Sequence, residues 1–146
     1  MGIHSLPIIH YPLFIINMLH LKKVHHIAII CSNYELSKAF YTEVIGLQII
    51  REVFRSERQS YKLDLALNGI YVIELFSFPN PPPRLSRPEG TGLRHIAFEV
   101  NDIAQAVKAL EDKNITVEPI RIDETTGKQF TFLSDPDNLP IELYQV

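Results

Sequence analysis

The chain has 146 residues, 46% of them hydrophobic and 21% charged. That balance fits one globular domain with a real core and excludes a disordered or fibrous protein. Its 14 Lys+Arg stand against 17 Asp+Glu for a formal net charge of -3, so there is no electrostatic footprint for nucleic acid or an anionic membrane. Cys31 is the only cysteine, which rules out an intrachain disulfide and makes the reducing cytoplasm the expected compartment.

Residues 1–20 read as an N-terminal appendage. Met1 to Leu19 contains no Asp, Glu, Lys or Arg, yet Pro7, His10, Pro12 and Asn17 interrupt its apolar residues. The longest run, Leu13 to Ile16, is too short to span a bilayer. Neither a positive start nor a small-residue cleavage site marks a secretory signal. Two readings stay open: translation of the natural product from Met18, or a tail whose apolar side chains pack on the domain or on a partner subunit.

From Val24 onward the sequence repeats itself. Val24-His25-His26-Ile27-Ala28-Ile29 matches Leu93-Arg94-His95-Ile96-Ala97-Phe98, an offset of 69 between His26 and His95. In the first copy Ser32 and Glu35 have capping-box spacing, Leu36, Ala39, Phe40 and Val44 recur at helical intervals, and Gly46 can close the helix. Strands are expected over roughly 47–55 and 61–67, with Asn68-Gly69 as a two-residue hairpin into a fourth strand. Five of the ten prolines, Pro79, Pro81, Pro82, Pro83 and Pro88, then form a linker that cannot join a sheet.

In the second copy Asp102 caps a helix with Ile103, Val107 and Leu110 as its apolar stripe and Asn114 at its end. Strands follow over roughly 115–122 and 128–133, with 134–138 as a turn. The copies also end alike. Tyr71-Val72-Ile73-Glu74-Leu75-Phe76 matches Leu139-Pro140-Ile141-Glu142-Leu143-Tyr144, an offset of 68 between the glutamates. The expected fold is α+β, two tandem βαβββ modules forming a curved mixed sheet or half-barrels with helices on the outer face. Module one covers 24–78, the Pro-rich linker 79–92 and module two 93–146, within a single domain over 21–146.

Alternation assigns faces. His26, Ala28 and Ile30 oppose Ile27 and Ile29; His95, Ala97 and Glu99 oppose Ile96, Phe98 and Val100. The bulky set is expected to meet the helices, leaving His26 and His95 on the face that Glu74 and Glu142 can join. Both glutamates interrupt strongly apolar strands, where an unpaired carboxylate costs several kcal/mol. Two imidazoles and two carboxylates from symmetric halves match a borderline divalent ion: nickel, cobalt, zinc, manganese or ferrous iron. By the same alternation His25 points to the other face and reads as structural. His4, His10 and His20 lie in the appendage as bystanders, and Cys31 reads as an inert thiol.

The doubled unit, with histidine opening and glutamate closing each copy, resembles the vicinal oxygen chelate superfamily, also called glyoxalase/bleomycin resistance/dioxygenase. The resemblance runs from Val24 to Val146 and extends to Ala39-Phe40-Tyr41, Ile45-Gly46-Leu47 and Ser134-Asp135-Pro136-Asp137. Within it the chain is most similar to short bacterial glyoxalase-I-like proteins. The resemblance implies a metal site of His26, Glu74, His95 and Glu142, open to a substrate that chelates through two neighbouring oxygens. It also implies catalysis by Glu142 and Glu74, with proton transfer on a hemithioacetal or α-hydroxycarbonyl compound through a metal-bound enediolate.

The implied activity is a lyase or isomerase of the lactoylglutathione lyase type. An epimerase or dioxygenase on the same scaffold, or a non-enzymatic small-molecule binder like the bleomycin-resistance proteins, are the alternatives. Glyoxalase I chains generally carry an arginine four positions after the first histidine ligand, where this chain has Ile30, so the use of glutathione stays open. Arg51, Arg55, Arg58, Arg121 and Lys128 are the other candidate cations, and Phe54, Phe76 and Phe130 the candidate pocket aromatics. A small-molecule substrate, no nucleic acid, no membrane and a homodimer are the expected partners. Whether one chain or two complete the metal cup stays open.

Overall fold

Strand β1 (Ile27–Cys31) buries Ile29 and Cys31 and exposes Ala28 and Ile30, the division expected of a strand with one face on a core. The computed structural model describes residues 19–146, so the readings of residues 1–18 fall outside the described residues. Helix α1 (Tyr34–Ala39) follows β1 and runs into a π-helical stretch over Phe40–Val44. The strands β2 (Gln48–Arg55), β3 (Ser60–Leu67) and β4 (Ile70–Ser77) complete module one. Module two repeats the order with β5 (Ile96–Val100), α2 (Ile103–Glu111), β6 (Arg121–Ile122), β7 (Gln129–Ser134) and β8 (Pro140–Gln145).

The result is two four-stranded mixed sheets, ordered β1-β4-β3-β2 and β5-β8-β7-β6. In each, the opening and closing strands of a module lie side by side in parallel and the remaining pairs are antiparallel. This pairing positions the site. Ala28 stands beside Glu74 and Ala97 beside Glu142, so each glutamate shares a face with the histidine two residues before its alanine. Between β3 and β4, Asn68 and Gly69 both adopt positive φ, 51° and 78°, the conformation a two-residue hairpin requires and the reason glycine suits the second position.

The opposite faces carry the core. Ile29, Ile73 and Leu75 of the first sheet and Ile96, Ile141 and Leu143 of the second join Tyr34, Phe40 and Leu110 from the helical segments in one apolar cluster. Polar ties between the modules accompany it. The fully buried Tyr41 hydroxyl donates to Asp135 Oδ2 at 2.9 Å, the Ser32 amide donates to Asp137 Oδ2 at 2.9 Å, and Lys113 reaches the Glu43 carbonyl. The core-facing sides of the two sheets therefore meet each other, while the faces bearing His26 and His95 do not.

Three local expectations change. Asn33, not Ser32, caps α1, accepting from the Leu36 amide at 3.2 Å, because the helix starts at Tyr34, one residue later than a Ser32 cap requires. Of the expected stripe Phe40 is buried but Leu36 is 59% exposed, and Tyr34, Ser37 and Tyr41 join Phe40 on the buried side. The strand expected over 115–122 shrinks to Arg121–Ile122. Pro119 has no N–H to give the ladder, so contact there reduces to the Glu118 amide on Phe132 and the Thr131 hydroxyl on the Glu118 carbonyl. Asp102 caps α2 as expected, accepting from the Gln105 amide. No helix among the described residues is long and apolar enough to cross a membrane.

Candidate functional site

The four predicted ligands fall into two like pairs. His26 Nε2 lies 3.3 Å from Glu74 Oε2, and His95 Nε2 lies 3.0 Å from Glu142 Oε2. Each histidine side chain is about one-third exposed and each glutamate 13% exposed, so both pairs open to solvent from one side. Two donors bound side by side to one octahedral ion at about 2.1 Å are themselves about 3 Å apart. Both pairs have that spacing, and the imidazole and carboxylate chemistry suits a borderline divalent ion. The chain does not unite the pairs: among the described residues no group of three or more His, Cys, Asp or Glu could hold a metal.

The surroundings of the pairs differ. In module one Lys62 bridges Asp64 Oδ1 at 2.6 Å and Glu74 Oε1. The Tyr71 hydroxyl lies 3.0 Å from Asp64 Oδ1 and 3.1 Å from Glu74 Oε1, and its ring stacks on His26 at 5.0 Å and 18°. Arg51 donates twice to Asp64 Oδ2, at 2.9 and 2.7 Å. Burial alone would raise both carboxyls, but the donors from Lys62 outweigh it, helped by Arg51 and Tyr71 at Asp64 and by Tyr71 at Glu74, and hold both below the usual carboxylate range. Glu74 thus spends Oε1 on its neighbours and turns Oε2 toward His26.

In module two the residue beside Glu142 is Phe132, where module one sets Asp64 beside Glu74. The His95 ring meets Phe132 edge-on at 5.4 Å. Arg94 lies 3.1 Å from His95 Nδ1, an arrangement in which Nδ1 accepts and the ring proton sits on Nε2. A histidine bound to an ion through Nε2 carries its proton on Nδ1 instead, and Arg94 would then lose this partner. A cleft of about 680 Å³ opens at this pair. Its lining includes the linker residues Arg84 and Arg87, then Arg94, Arg121, Phe130 and Phe132.

Alternation misplaces His25. Its Nδ1 sits 2.8 Å from His26 Nδ1, and its ring packs edge-on against Tyr71 at 5.2 Å. The regular strand begins only at Ile27, so the period-two rule does not reach His25. Cys31 is buried, and burial pushes its thiol up to about 11, in keeping with an inert role. Arg55 stacks over Phe76 and Phe78 at 4.7 and 5.4 Å, and Arg121 over Phe130 and Phe132 at 4.9 and 5.4 Å. Arg58, Lys128 and Phe54 are exposed. Lys62, Asp64 and Tyr71 went unnoticed in the sequence; charged residues two apart in the apolar run of β3 were the available signal.

Residues 23–143 match the family model described as Glyoxalase/Bleomycin resistance protein/Dioxygenase superfamily. The chain is 63% identical to the Bacillus subtilis protein YwkD over 86% of its length and 98% of the relative's. It is 60% identical to YaeR of Escherichia coli, covering 88% and 99%. The crystal structure of a glyoxalase family protein from Enterococcus faecalis superposes with a TM-score of 0.80 at 44% identity, covering 86% of this chain and 99% of that one. More distant relatives are a lactoylglutathione lyase of Salmonella typhimurium, 31% identical over 82% of this chain and 90% of its own, and a mitochondrial methylmalonyl-CoA epimerase of Dictyostelium discoideum, 28% identical over 82% and 74%. Sequence, strand order and the duplicated module agree that this chain belongs to the glyoxalase/bleomycin resistance protein/dioxygenase superfamily.

Proposed function

We propose that this chain is a metal-dependent lyase or isomerase of the lactoylglutathione lyase type, working as a homodimer. In that dimer the His26–Glu74 pair of one subunit faces the His95–Glu142 pair of the other across a shared ion. The observation that carries the reading is the recurrence of one imidazole and one carboxylate, 3.3 and 3.0 Å apart, at equivalent registers of both sheets. Because the two pairs do not meet within a chain, two-fold pairing of subunits is the simplest way to complete both cups at once. Nickel, cobalt or zinc suits the four donors, with manganese or ferrous iron as further candidates.

A divalent ion held by His26, Glu74, His95 and Glu142 would supply Lewis acidity toward a carbonyl and its neighbouring hydroxyl. Glu142 Oε2 is the base, taking a proton from the carbon next to the carbonyl and returning it to the adjacent carbon. Its strand sets it beside Phe132. Glu74 is suited to staying ionised and holding the ion rather than to carrying a proton, since Lys62 and Tyr71 stabilise its charged form. The substrate class is a hemithioacetal of an α-ketoaldehyde or a related α-hydroxycarbonyl compound.

An epimerase reading is favoured by one observation, the similarity to a methylmalonyl-CoA epimerase, since epimerases also work through paired carboxylates. Ultraviolet assays of cobalt- or nickel-loaded protein with methylglyoxal hemithioacetals of several thiols separate the two. Accumulation of a thioester is the expected result. Solvent hydrogen exchange into an acyl thioester, with no turnover of any hemithioacetal, would move the assignment to the epimerase.

A further inference from the structure

The cleft beside His95 and Glu142 is walled by the Pro-rich linker, and its charges are unevenly committed. Arg84 is a staple: Nε donates to Ser86 Oγ at 2.8 Å, and the guanidinium also reaches the carbonyls of Leu93 and Arg94. Ser86 in turn donates to the Asn138 carbonyl at 2.8 Å, which fixes the linker against module two. Arg121 is equally settled, donating to Glu118 at 2.8 Å while lying over Phe130 and Phe132.

Arg87 and Arg94 are not settled in this way. Arg87 stands 3.8 Å from Glu89 and 3.9 Å from Glu118, and Arg94 stands 4.0 Å from Glu89, all beyond hydrogen-bonding reach. Their side chains are 77% and 65% exposed. The short partner of Arg94 is His95 Nδ1, met through Nη1, which leaves Nη2 without a hydrogen bond to Glu89. Module one offers the opposite picture, since Lys62 and Arg51 there are both hydrogen-bonded to Asp64. Thus two guanidinium groups that line one cleft together with Glu89 and Glu118 meet those carboxylates only as long ion pairs, with no hydrogen bond to either. A planar guanidinium binds a phosphoryl group through two parallel hydrogen bonds.

We propose that the cleft takes an α-hydroxycarbonyl substrate whose far end is a doubly charged oxyanion, a phosphoryl group, gripped by Arg87 and Arg94. The position of the reacting end rests on the metal-site reading above; the anion grip does not. Phe130 and Phe132 add apolar lining to the cleft. Arg84 holds the wall, and Arg121 adds field without moving.

Calorimetry with dihydroxyacetone phosphate and with dihydroxyacetone tests this on metal-loaded protein. The phosphorylated compound is expected to bind at least about tenfold more tightly. The Arg87→Ala/Arg94→Ala double variant should bring the two affinities together with an unchanged melting temperature, while Arg58→Ala keeps the preference. Equal affinities in the unaltered protein, or a preference that survives in the double variant, would overturn the proposal. Inorganic phosphate titrated into chelator-stripped protein separates the two readings. Binding that disappears in the double variant upholds the anion site even if no ion is ever taken up, whereas the same phosphate affinity in both proteins refutes it.

Discussion

Glu142→Gln is expected to lower turnover of an accepted hemithioacetal by about 1000-fold while metal uptake, read by elemental analysis of the purified variant, stays close to that of the unaltered protein. The amide has the size of the carboxylate and keeps an oxygen that can ligate, but it has no basic lone pair to accept a carbon-bound proton. Glu142 suits the task because, among the described residues, His95 is its one ionic partner, so a carboxylate that loosens from the ion as substrate binds meets no competing Lys or Arg. Glu74→Gln should cost less. Lys62 and Tyr71 already weaken the basicity of Glu74, and its substitution should show mainly as weaker metal retention. Near-normal turnover by Glu142→Gln would assign the base elsewhere.

Mixing two inactive variants should restore activity. His26→Ala spoils one half of each cup and His95→Ala the other, so each variant alone has no intact site. When subunits exchange at random, half of the dimers carry one chain of each kind, and in these one cup is doubly damaged while the other is whole. Recovery of about one quarter of the unaltered activity is therefore expected from an equal mixture. Activity that fails to rise as subunits exchange, followed by the exchange of a tagged chain, would contradict a cup shared between chains.

Duplication made much of this legible. His26 and His95, and Glu74 and Glu142, stand out because the same residue types recur at nearly equal offsets in apolar strands. The parallel pairing of β1 with β4 and of β5 with β8 then brings each histidine to its glutamate. The Asn68-Gly69 turn and the Asp102 cap are local chemistry, and they too were readable. What failed depends on distant partners. Asn33 takes the cap in place of Ser32, and the Ser32 amide instead meets Asp137, far along the chain. His25 lies before β1 begins, where strand alternation does not govern its side chain.

The contrast between the half-sites was hidden for the same reason. Asp64 and Phe132 occupy matching places beside Glu74 and Glu142, yet strand register cannot be counted from a sequence whose connecting loops differ in length. The linker reads as a spacer by its prolines. Its role as a cleft wall depends on Arg84 and Ser86 reaching backbone carbonyls of module two. That the two pairs do not meet within a chain follows from which sheet faces pack together, a property of the whole core rather than of any segment.

Cobalt(II) titration of metal-free protein, read by visible absorption with sedimentation of the same samples, tests the shared cup most directly. The account predicts one ion per chain in a dimer, none held by the dissociated chain, and a loss of affinity of about 100-fold or more in His26→Ala and His95→Ala alike. Tight cobalt binding by a single dissociated chain, or binding that one of these histidine substitutions leaves untouched, would contradict it.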